Sequence, residues 1–419
     1  MAPMQIVVTA FVLALLCGPV IAQPAAEPNP KTPPASAAPL EIPKPAAAAK
    51  FLGVAMIGPN YTVRPIARSD GLMRIFEVET PYGQFQFDGA EFTKLRLREI
   101  DATVALEKMS TSEAFAQSFG NQVLAPLKFS MDFIANPADA MNRSASGIQN
   151  FFDRGSAAMA GQKFERDNAF DSLLGVSDAQ RQLAVELKVD PYTDFAPLQD
   201  RLHQVAAAMA GGSLTVRGGL AAVTGGVGLA ISATSGLQGA MDTLRDKTAA
   251  QVLAEVRTTL SSLGVPDDTT DRLIGNRYYT PTFLLLIARS LKQLQAQNTA
   301  AFVDRAADVN SYGLAYFNVC RAELLAARSA ELGGLVAFAV VGGHAVNIAR
   351  DGKAVILFPL DDLAWTDVTR RTFLKANAEL HQRNSTGGVV LATTGLVTPM
   401  AAAEIQKLGW KIVNIRPIR

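Results

Sequence analysis

The chain has 419 residues, of which 49% are hydrophobic and 18% are charged, a composition typical of a globular protein. Its 39 basic and 38 acidic residues give a formal net charge of +1, without the basic excess that nucleic-acid-binding proteins carry. We therefore expect no nucleic-acid partner, and at roughly 100–200 residues per domain we expect two or three compact units.

The first 22 residues have the pattern of an export signal. An uncharged core at residues 6–16 is followed by small residues that end at Ala22, as at a cleavage site. Because no Lys or Arg precedes this core, an uncleaved membrane anchor remains the alternative. Cys17 permits a lipoprotein interpretation, although Leu15 and Leu16 are bulkier than the residues that usually precede a lipidated cysteine. We expect an exported protein of the periplasm or cell envelope, with membrane association left open.

Residues 23–50 are predicted to form a disordered linker. Eight of these 28 residues are proline and most of the others are alanine. Such a composition favours extended polyproline-II segments and supplies too few large apolar side chains for a packed core. The linker is expected to hold the folded part of the chain away from its point of export or attachment.

Residues 51–152 are predicted to begin with a β-meander. Alternating polar and apolar residues, separated by turn signals, indicate three strands at 61–68, 72–80 and 84–87. We expect this small sheet to pack on the helices that follow.

From Ala90 onward the apolar residues recur with helical spacing. Lys94, Arg96 and Arg98 lie around this helix close to acidic residues that neutralise them locally. We expect these three residues to form a solvated face, with attraction of an anionic partner as the alternative.

Residues 153–332 are predicted to be mainly helical. Ser177 and Thr280 are expected to be N-caps, and Cys320 is expected to be a small buried hydrophobic residue rather than a nucleophile. The clearest helices are expected at 242–263, 282–296 and 300–329, the last as one long helix.

An uncharged, glycine-rich segment at 218–241 interrupts this helical region. Seven of its 24 residues are glycine, and small residues recur at helical i, i+4 spacing, a pattern that lets two helix backbones approach closely. Because each glycine weakens an isolated helix by about 1 kcal/mol relative to alanine, a single membrane span is disfavoured. A buried or interface helical hairpin is the favoured interpretation, and the alternatives are a membrane-contacting segment and a mobile loop. The expected partner of this segment is a protein or a membrane surface.

Residues 333–419 are predicted to form a small α/β unit. Apolar runs indicate strands at 335–341, 354–358, 387–393 and 411–415. Thr366 and Thr398 are expected to cap the two helices between them, and 351–352 is a hairpin turn signal. Together with the meander and the helical middle, this order predicts the α+β class.

No catalytic motif is found in the sequence. The chain contains no phosphate loop, no Gly-x-Ser-x-Gly elbow and no zinc-ligand spacing among its three histidines. We therefore predict no metal, no cofactor and no catalytic residue, and we favour a protein that is not an enzyme.

Weak candidates for a ligand site follow two C-terminal strands. Loops at the carboxyl ends of strands in α/β units commonly bind ligands, and the amides at the start of the next helix attract small anions. His344, which follows two glycines between strands, is the one histidine added to the set. The candidates are Thr393, Thr394, Gly395, Thr398, Asp361, Asp362, Trp365 and His344.

Two functions are compatible with these features. The first is a non-enzymatic envelope protein whose helical region binds a partner or acts as a scaffold. The alternative is a periplasmic enzyme or ligand-binding protein with its site on the C-terminal unit, for an unknown small molecule. Ionisable groups that converge near Thr393 would favour the alternative, whereas an exposed apolar hairpin at 220–237 would favour the first.

Overall fold

An antiparallel sheet, a group of helices and a mixed sheet follow one another along the chain. The computed structural model describes residues 39–110, 176–210, 235–383 and 387–418. The described residues from Leu40 onward belong to one compact unit. The predicted α+β class is confirmed.

The N-terminal sheet is built around its longest strand, β4. Strands β2 and β3 pair with one edge of β4 and β5 pairs with the other, all of them antiparallel. The predicted strand at 61–68 is divided in two at Pro65, since proline has no N–H to donate to the sheet. The strands are β1 (Ala46–Ala47), β2 (Thr62–Val63), β3 (Ile66–Ser69), β4 (Arg74–Thr80) and β5 (Gly83–Asp88).

The linker predicted to extend to Lys50 ends earlier, because residues 40–50 belong to the fold. β1 pairs with the edge of β3, and the short helix α1 (Ala49–Leu52) follows it directly. Ala48 is fully buried, and its N–H donates to the Pro65 carbonyl over 2.9 Å. Alanine is small enough to fit a narrow gap between backbones, which a prediction based on bulk composition does not capture.

The helices of the middle region pack on one another and on α2, the long helix that follows the first sheet. The helices are α2 (Ala90–Ser110), α3 (Asp178–Glu186), α4 (Ala196–Ala210), α5 (Ser235–Asp246), α6 (Ala249–Ser262), α7 (Asp267–Ile274), α8 (Pro281–Leu294), α9 (Ala300–Ala306) and α10 (Tyr312–Arg328). α8 packs against both α6 and α10, and α2 packs against α4.

Side-chain caps decide where several of these helices begin. The predicted caps are confirmed: the hydroxyls of Ser177 and Thr280 accept hydrogen bonds from backbone N–H groups three residues on. The helix predicted at 242–263 is divided, because Thr248 forms a capping box that starts α6. The single helix predicted at 300–329 is likewise wrong, since Ser311 caps a separate helix, α10.

The basic face predicted around α2 is wrong for Arg96. This residue is only 3% exposed, and its guanidinium pairs with Glu99 at 2.6 Å and with Asp194. Lys94 remains partly exposed and pairs with Glu91. The alternation of basic residues along the sequence did not reveal that one of them points into the protein.

Helix α5 includes the last seven residues of the glycine-rich segment. Leu237, Ala240 and Met241 are buried, and a Cβ on Gly236 would overlap Oε1 of Glu323 on α10. Residues 218–234, on which the hairpin, membrane and loop interpretations depend, lie outside the described ranges. Among the helices that are described, none is long and apolar enough to cross a membrane.

The C-terminal sheet has five strands in the order β12-β10-β8-β7-β6. β8, β10 and β12 are parallel, whereas β6, β7 and β8 are joined by antiparallel pairings. Beyond the ends of β8 and β10, two short strands, β9 and β11, form a parallel pair of their own. The strands are β6 (Leu335–Val341), β7 (His344–Ala349), β8 (Ala354–Phe358), β9 (Asp362–Leu363), β10 (Val389–Thr393), β11 (Leu396–Val397) and β12 (Lys411–Asn414).

Strand β7 is absent from the sequence prediction, which left His344 in a loop between two strands. Gly342 and Gly343 both have positive φ, 59° and 86°, and form a two-residue hairpin turn of the kind that favours glycine. His344 is therefore the first residue of β7. The predicted caps Thr366 and Thr398 are confirmed, and they begin α11 (Asp367–Gln382) and α12 (Pro399–Lys407).

Candidate functional site

A cavity of about 200 Å³ lies where β8 and β10 end. Its walls come from α1, the first turns of α2, one face of α10 and the loops that follow β8 and β10. We call it the strand-end cavity. It is lined by Lys50, Phe51, Met73, Asp88, Ala90, Glu91, Phe92, Lys94, Gly313, Tyr316, Phe317, Cys320, Pro359, Leu360, Asp361, Thr394, Gly395, Leu396 and Pro417.

The structure brings three of the eight predicted site residues to this cavity. They are Asp361, Thr394 and Gly395. The other five lie near the same region or elsewhere in the fold, and their side chains serve packing or internal hydrogen bonds, as described below. The predicted location at the strand ends therefore contains a cavity, although most of the predicted residues do not line it.

Asp361 joins the end of β8 to the N-terminal sheet. Its carboxylate accepts the backbone N–H of Arg74 at 2.7 Å and that of Ala90, the first residue of α2, at 3.1 Å. Burial raises the pKa of Asp361 to about 7, although these two hydrogen bonds act in the opposite direction. The carboxylate therefore holds two parts of the fold together, and its oxygens are already occupied.

Asp362 has a similar structural role beside it. Its carboxylate pairs with the Arg74 guanidinium at 2.6 Å and accepts the Ser69 hydroxyl at 3.0 Å. Both members of the ion pair are buried, and desolvation raises the pKa of Asp362 in spite of the arginine. Asp362, a predicted ligand-site residue, is thus satisfied within the fold by Arg74, which lies 288 positions away in the sequence. It does not line the strand-end cavity.

Thr398 and Trp365 hold a residue of the predicted linker instead of a ligand. The Glu41 carboxylate accepts the Thr398 hydroxyl and the Trp365 backbone N–H, each at 2.6 Å. The Glu41 N–H in turn donates to the Trp365 carbonyl. The Trp365 ring is buried and stacks on Phe373, with 6.2 Å between centroids. These contacts fasten residues 40–42 to the C-terminal unit.

His344 and Thr393 are buried in the C-terminal sheet, away from the lining. The His344 imidazole is 4% exposed and meets the Phe358 ring edge to face at 5.7 Å. Thr393 is fully buried and accepts the Gly395 N–H. Both positions belong to the core rather than to a binding surface.

Thr394 and Gly395 connect the two loops at the strand ends. The Thr394 hydroxyl donates to the Leu360 carbonyl at 3.0 Å. A Cβ on Gly395 would overlap the backbone of Leu360 and Asp361, so only glycine permits this close approach. The two loops therefore form a continuous wall of the strand-end cavity.

Four charged residues outside the predicted ligand-site set also line the cavity. They are Lys50, Asp88, Glu91 and Lys94. Lys94 pairs with Glu91 over 2.7 Å, whereas no residue of the described ranges forms an ion pair with Lys50. The sequence offered no signal for Lys50, because it ends a Pro/Ala-rich segment and is placed at the cavity only by the docking of β1 and α1.

The wall contributed by α10 is uncharged. Cys320 and Tyr316 both line the cavity, and burial raises the pKa of each well above its usual range. The Cys320 thiol therefore stays protonated and unreactive at physiological pH. This protonation state agrees with the expectation that Cys320 is a small hydrophobic residue, although it lies at the edge of a cavity.

Within the described ranges, no three His, Cys, Asp or Glu side chains are arranged to hold a metal ion. Comparisons of the chain with protein-family models, curated proteins and solved structures find no match. The role of the cavity is therefore inferred from its lining residues and size. It combines apolar walls, two lysines and a rigid pair of loops, an arrangement suited to holding a small molecule.

Proposed function

We propose that this chain is an exported, non-enzymatic binding protein of the cell envelope, and that it holds a small molecule in the strand-end cavity. The observation that carries the proposal is the convergence of ionisable groups at the ends of β8 and β10. Lys50, Glu91, Lys94 and Asp361 come from three separate parts of the sequence and line one cavity.

The size and lining of the cavity support a small ligand. Sites for drug-sized ligands occupy roughly 300–1,000 Å³ and are mostly apolar with a few placed polar groups. At about 200 Å³ the strand-end cavity is smaller. Most of its walls are apolar or aromatic, and its charged groups come from α1, the start of α2 and the loop after β8. This arrangement fits a compound with an apolar body and one polar end.

The state of the reactive groups favours binding over catalysis. Among the described residues that line the cavity, the Cys320 thiol is held neutral and the Asp361 carboxylate is occupied by two backbone amides. Glu91 is paired with Lys94. The thiol is therefore unavailable as a nucleophile, and each of the two carboxylates would have to give up an existing partner in the fold to act as a general base.

Export is proposed from the sequence of residues 1–22, with its apolar core and small residues before the expected cleavage position. The proline-rich residues that follow would act as a spacer between the point of export and the folded part.

A second role, binding of a protein or membrane partner through residues 218–241, is favoured by one observation. At the end of this segment, Gly236 lies close to the Glu323 side chain of α10, so a small residue at this position leaves room for a neighbouring side chain. Sedimentation of the full chain with lipid vesicles tests the membrane version, and a chain that stays in the supernatant rules it out.

The experiment that tests ligand binding is ligand-observed NMR of the full chain against a set of small polar and apolar compounds. Cys320→Met would fill part of the cavity, whereas Cys320→Ala at the same position enlarges it. We expect compounds that bind the wild type and Cys320→Ala to lose their signal with Cys320→Met. A wild type that binds nothing, or a Cys320→Met variant that binds equally well, would contradict the proposal.

A further inference from the structure

We propose that the ligand of the strand-end cavity is a small aromatic carboxylate, with its ring among the phenylalanines of the lining and its carboxylate directed at Lys50. This inference rests on the proposed function and names the ligand class. Three features carry it: the state of each charged group at the cavity, the aromatic content of the walls, and the cavity size.

The carboxylates at the cavity are already engaged. Asp361 accepts two backbone N–H groups, at 2.7 and 3.1 Å, and Glu91 pairs with Lys94 at 2.7 Å. Asp88 also has an interaction within the fold. A cationic ligand would therefore have to displace an existing partner to gain an ion pair.

Lys50 is in the opposite situation. In the described part of the chain no carboxylate lies within 4 Å of its ammonium group, although the residue lines the cavity. Its backbone is held in place because α1 is anchored by Leu52, which is fully buried, and by the Ala48 N–H bond to Pro65. A fixed backbone thus presents an exposed ammonium group at the cavity, with which no described carboxylate forms an ion pair, and an anionic ligand group can pair with it.

The walls favour an aromatic body. Aromatic residues make up about a fifth of the lining, against 7% of the whole chain. Phe92 and Tyr316 lie with ring centroids 5.9 Å apart, and Phe51 stacks on the Arg74 guanidinium at 4.5 Å. A ligand ring would extend these existing arrangements, since aromatic pairs are most favourable at centroid distances of roughly 4.5–7 Å.

The volume limits the ligand to a single ring. About 200 Å³ is below the range of drug-sized ligands, so a second ring or a long chain would project into solvent. A monocyclic carboxylate fills the apolar part and places one charged group near the exposed Lys50.

The test uses three probes of matched size: phenylacetate, 2-phenylethanol and 2-phenylethylamine. Their affinities for the full chain are measured by calorimetry or NMR titration at low and high salt. We expect phenylacetate to bind roughly threefold to fivefold more tightly than the alcohol, the gain of a partly exposed ion pair, and the amine to bind most weakly. The preference should shrink as salt is added.

Lys50→Gln removes the ammonium and should abolish the preference for the acid over the alcohol. Lys407→Gln, on the exposed side of α12, is the matched control and should keep the preference. Thermal unfolding of both variants verifies that they fold.

The remaining outcomes separate the two proposals. Tighter binding of the amine or the alcohol, blocked by Cys320→Met, overturns the ligand class and leaves the binding function intact. A preference for the acid that survives Lys50→Gln overturns the role of Lys50. If none of the three probes binds in a manner that Cys320→Met blocks, both the ligand class and the binding function are contradicted.

Discussion

The Glu41 carboxylate and the Thr398 hydroxyl, 357 positions apart in sequence, are joined by a hydrogen bond of 2.6 Å. The same oxygen of Glu41 accepts the Trp365 N–H. A residue from the end of a proline-rich segment thus completes the N-terminus of α12, where a negative charge is favourable. This contact defines where the fold begins.

Glu41→Ala should therefore destabilise the folded chain. We expect the free energy of unfolding to fall by about 1–3 kcal/mol, because two donors in part-buried hydrogen bonds lose a charged acceptor. Urea unfolding measures the change. Glu331→Ala, which removes an exposed carboxylate paired with Arg328, is the control and should cost less than about 1 kcal/mol. Equal effects of the two substitutions would show that Glu41 contributes no more than a surface residue.

The buried ion pair of Arg74 and Asp362 is expected to be more sensitive to substitution than the Glu41 contact. Asp362→Ala leaves the arginine buried without its counter-ion, which typically costs about 3–5 kcal/mol. Asp351→Ala breaks the exposed pair with Lys353 and should cost far less, because solvent screens this pair. Chemical denaturation of both variants compares the two pairs directly. If the free energy of unfolding falls by less than about 1 kcal/mol in Asp362→Ala, this ranking is refuted.

Stability should decrease as the pH rises from about 4 to about 7. Burial raises the pKa values of Asp70, Asp190 and Asp361 to about 7, while an unfolded aspartate titrates near 3.9. Between these values the folded chain binds more protons than the unfolded chain. Each unit of increase in pH therefore lowers the free energy of unfolding. Unfolding midpoints at pH 5 and pH 8 test the sign, and the midpoint should be higher at pH 5.

Asp190→Asn isolates one contribution to this pH dependence. The substitution should flatten the slope by up to about 1.4 kcal/mol per pH unit, since the amide cannot titrate. Asp351→Asn, at a fully exposed position, should leave the slope unchanged. A slope that is the same in wild type and Asp190→Asn would show that Asp190 does not release a proton in this range.

Two glycines of α5 provide a matched pair. A Cβ on Gly236 would overlap Glu323, whereas a Cβ on Gly239 meets nothing within 4 Å. Gly239→Ala should stabilise the chain by up to about 1 kcal/mol through helix propensity. Gly236→Ala should be less stable than Gly239→Ala by about 0.5–1.5 kcal/mol, because the half-buried Glu323 side chain must move to another rotamer.

Thermal and urea unfolding measure the two alanine variants. Removing the overlapping side chain with Glu323→Ala should recover most of the difference, which identifies the contact as the cause. If Gly236→Ala proves as stable as Gly239→Ala, the Glu323 side chain does not restrict the space at Gly236.

Local chemistry made much of the fold predictable. Thr280, Thr366 and Thr398 each precede a helix, and a hydroxyl at that position satisfies an unpaired backbone N–H. Strands β6, β8, β10 and β12 were visible as apolar runs for the same local reason. β7 was missed because its polar residues, His344 and Asn347, are buried in the sheet and interrupt the apolar pattern.

The location of the candidate site was predictable from the sequence, but the contacts of its residues were not. The loops after β8 and β10 do meet at a cavity, as the ends of parallel strands often do. The partners of Asp361, however, are backbone amides of Arg74 and Ala90, 287 and 271 positions away, and no local pattern reports them. The same is true of Lys50, whose location depends on how β1 pairs with β3.

The order of contacts along residues 40–50 has a mechanical consequence. A pull on the chain before residue 40 reaches Glu41 first, and then Lys44, whose carbonyl is held by Arg74 at 2.7 Å. Only after both contacts yield does the load reach Lys50 at the cavity. A load applied before residue 40 is thus carried first by the Thr398 and Arg74 contacts, and the cavity keeps its shape until both have yielded.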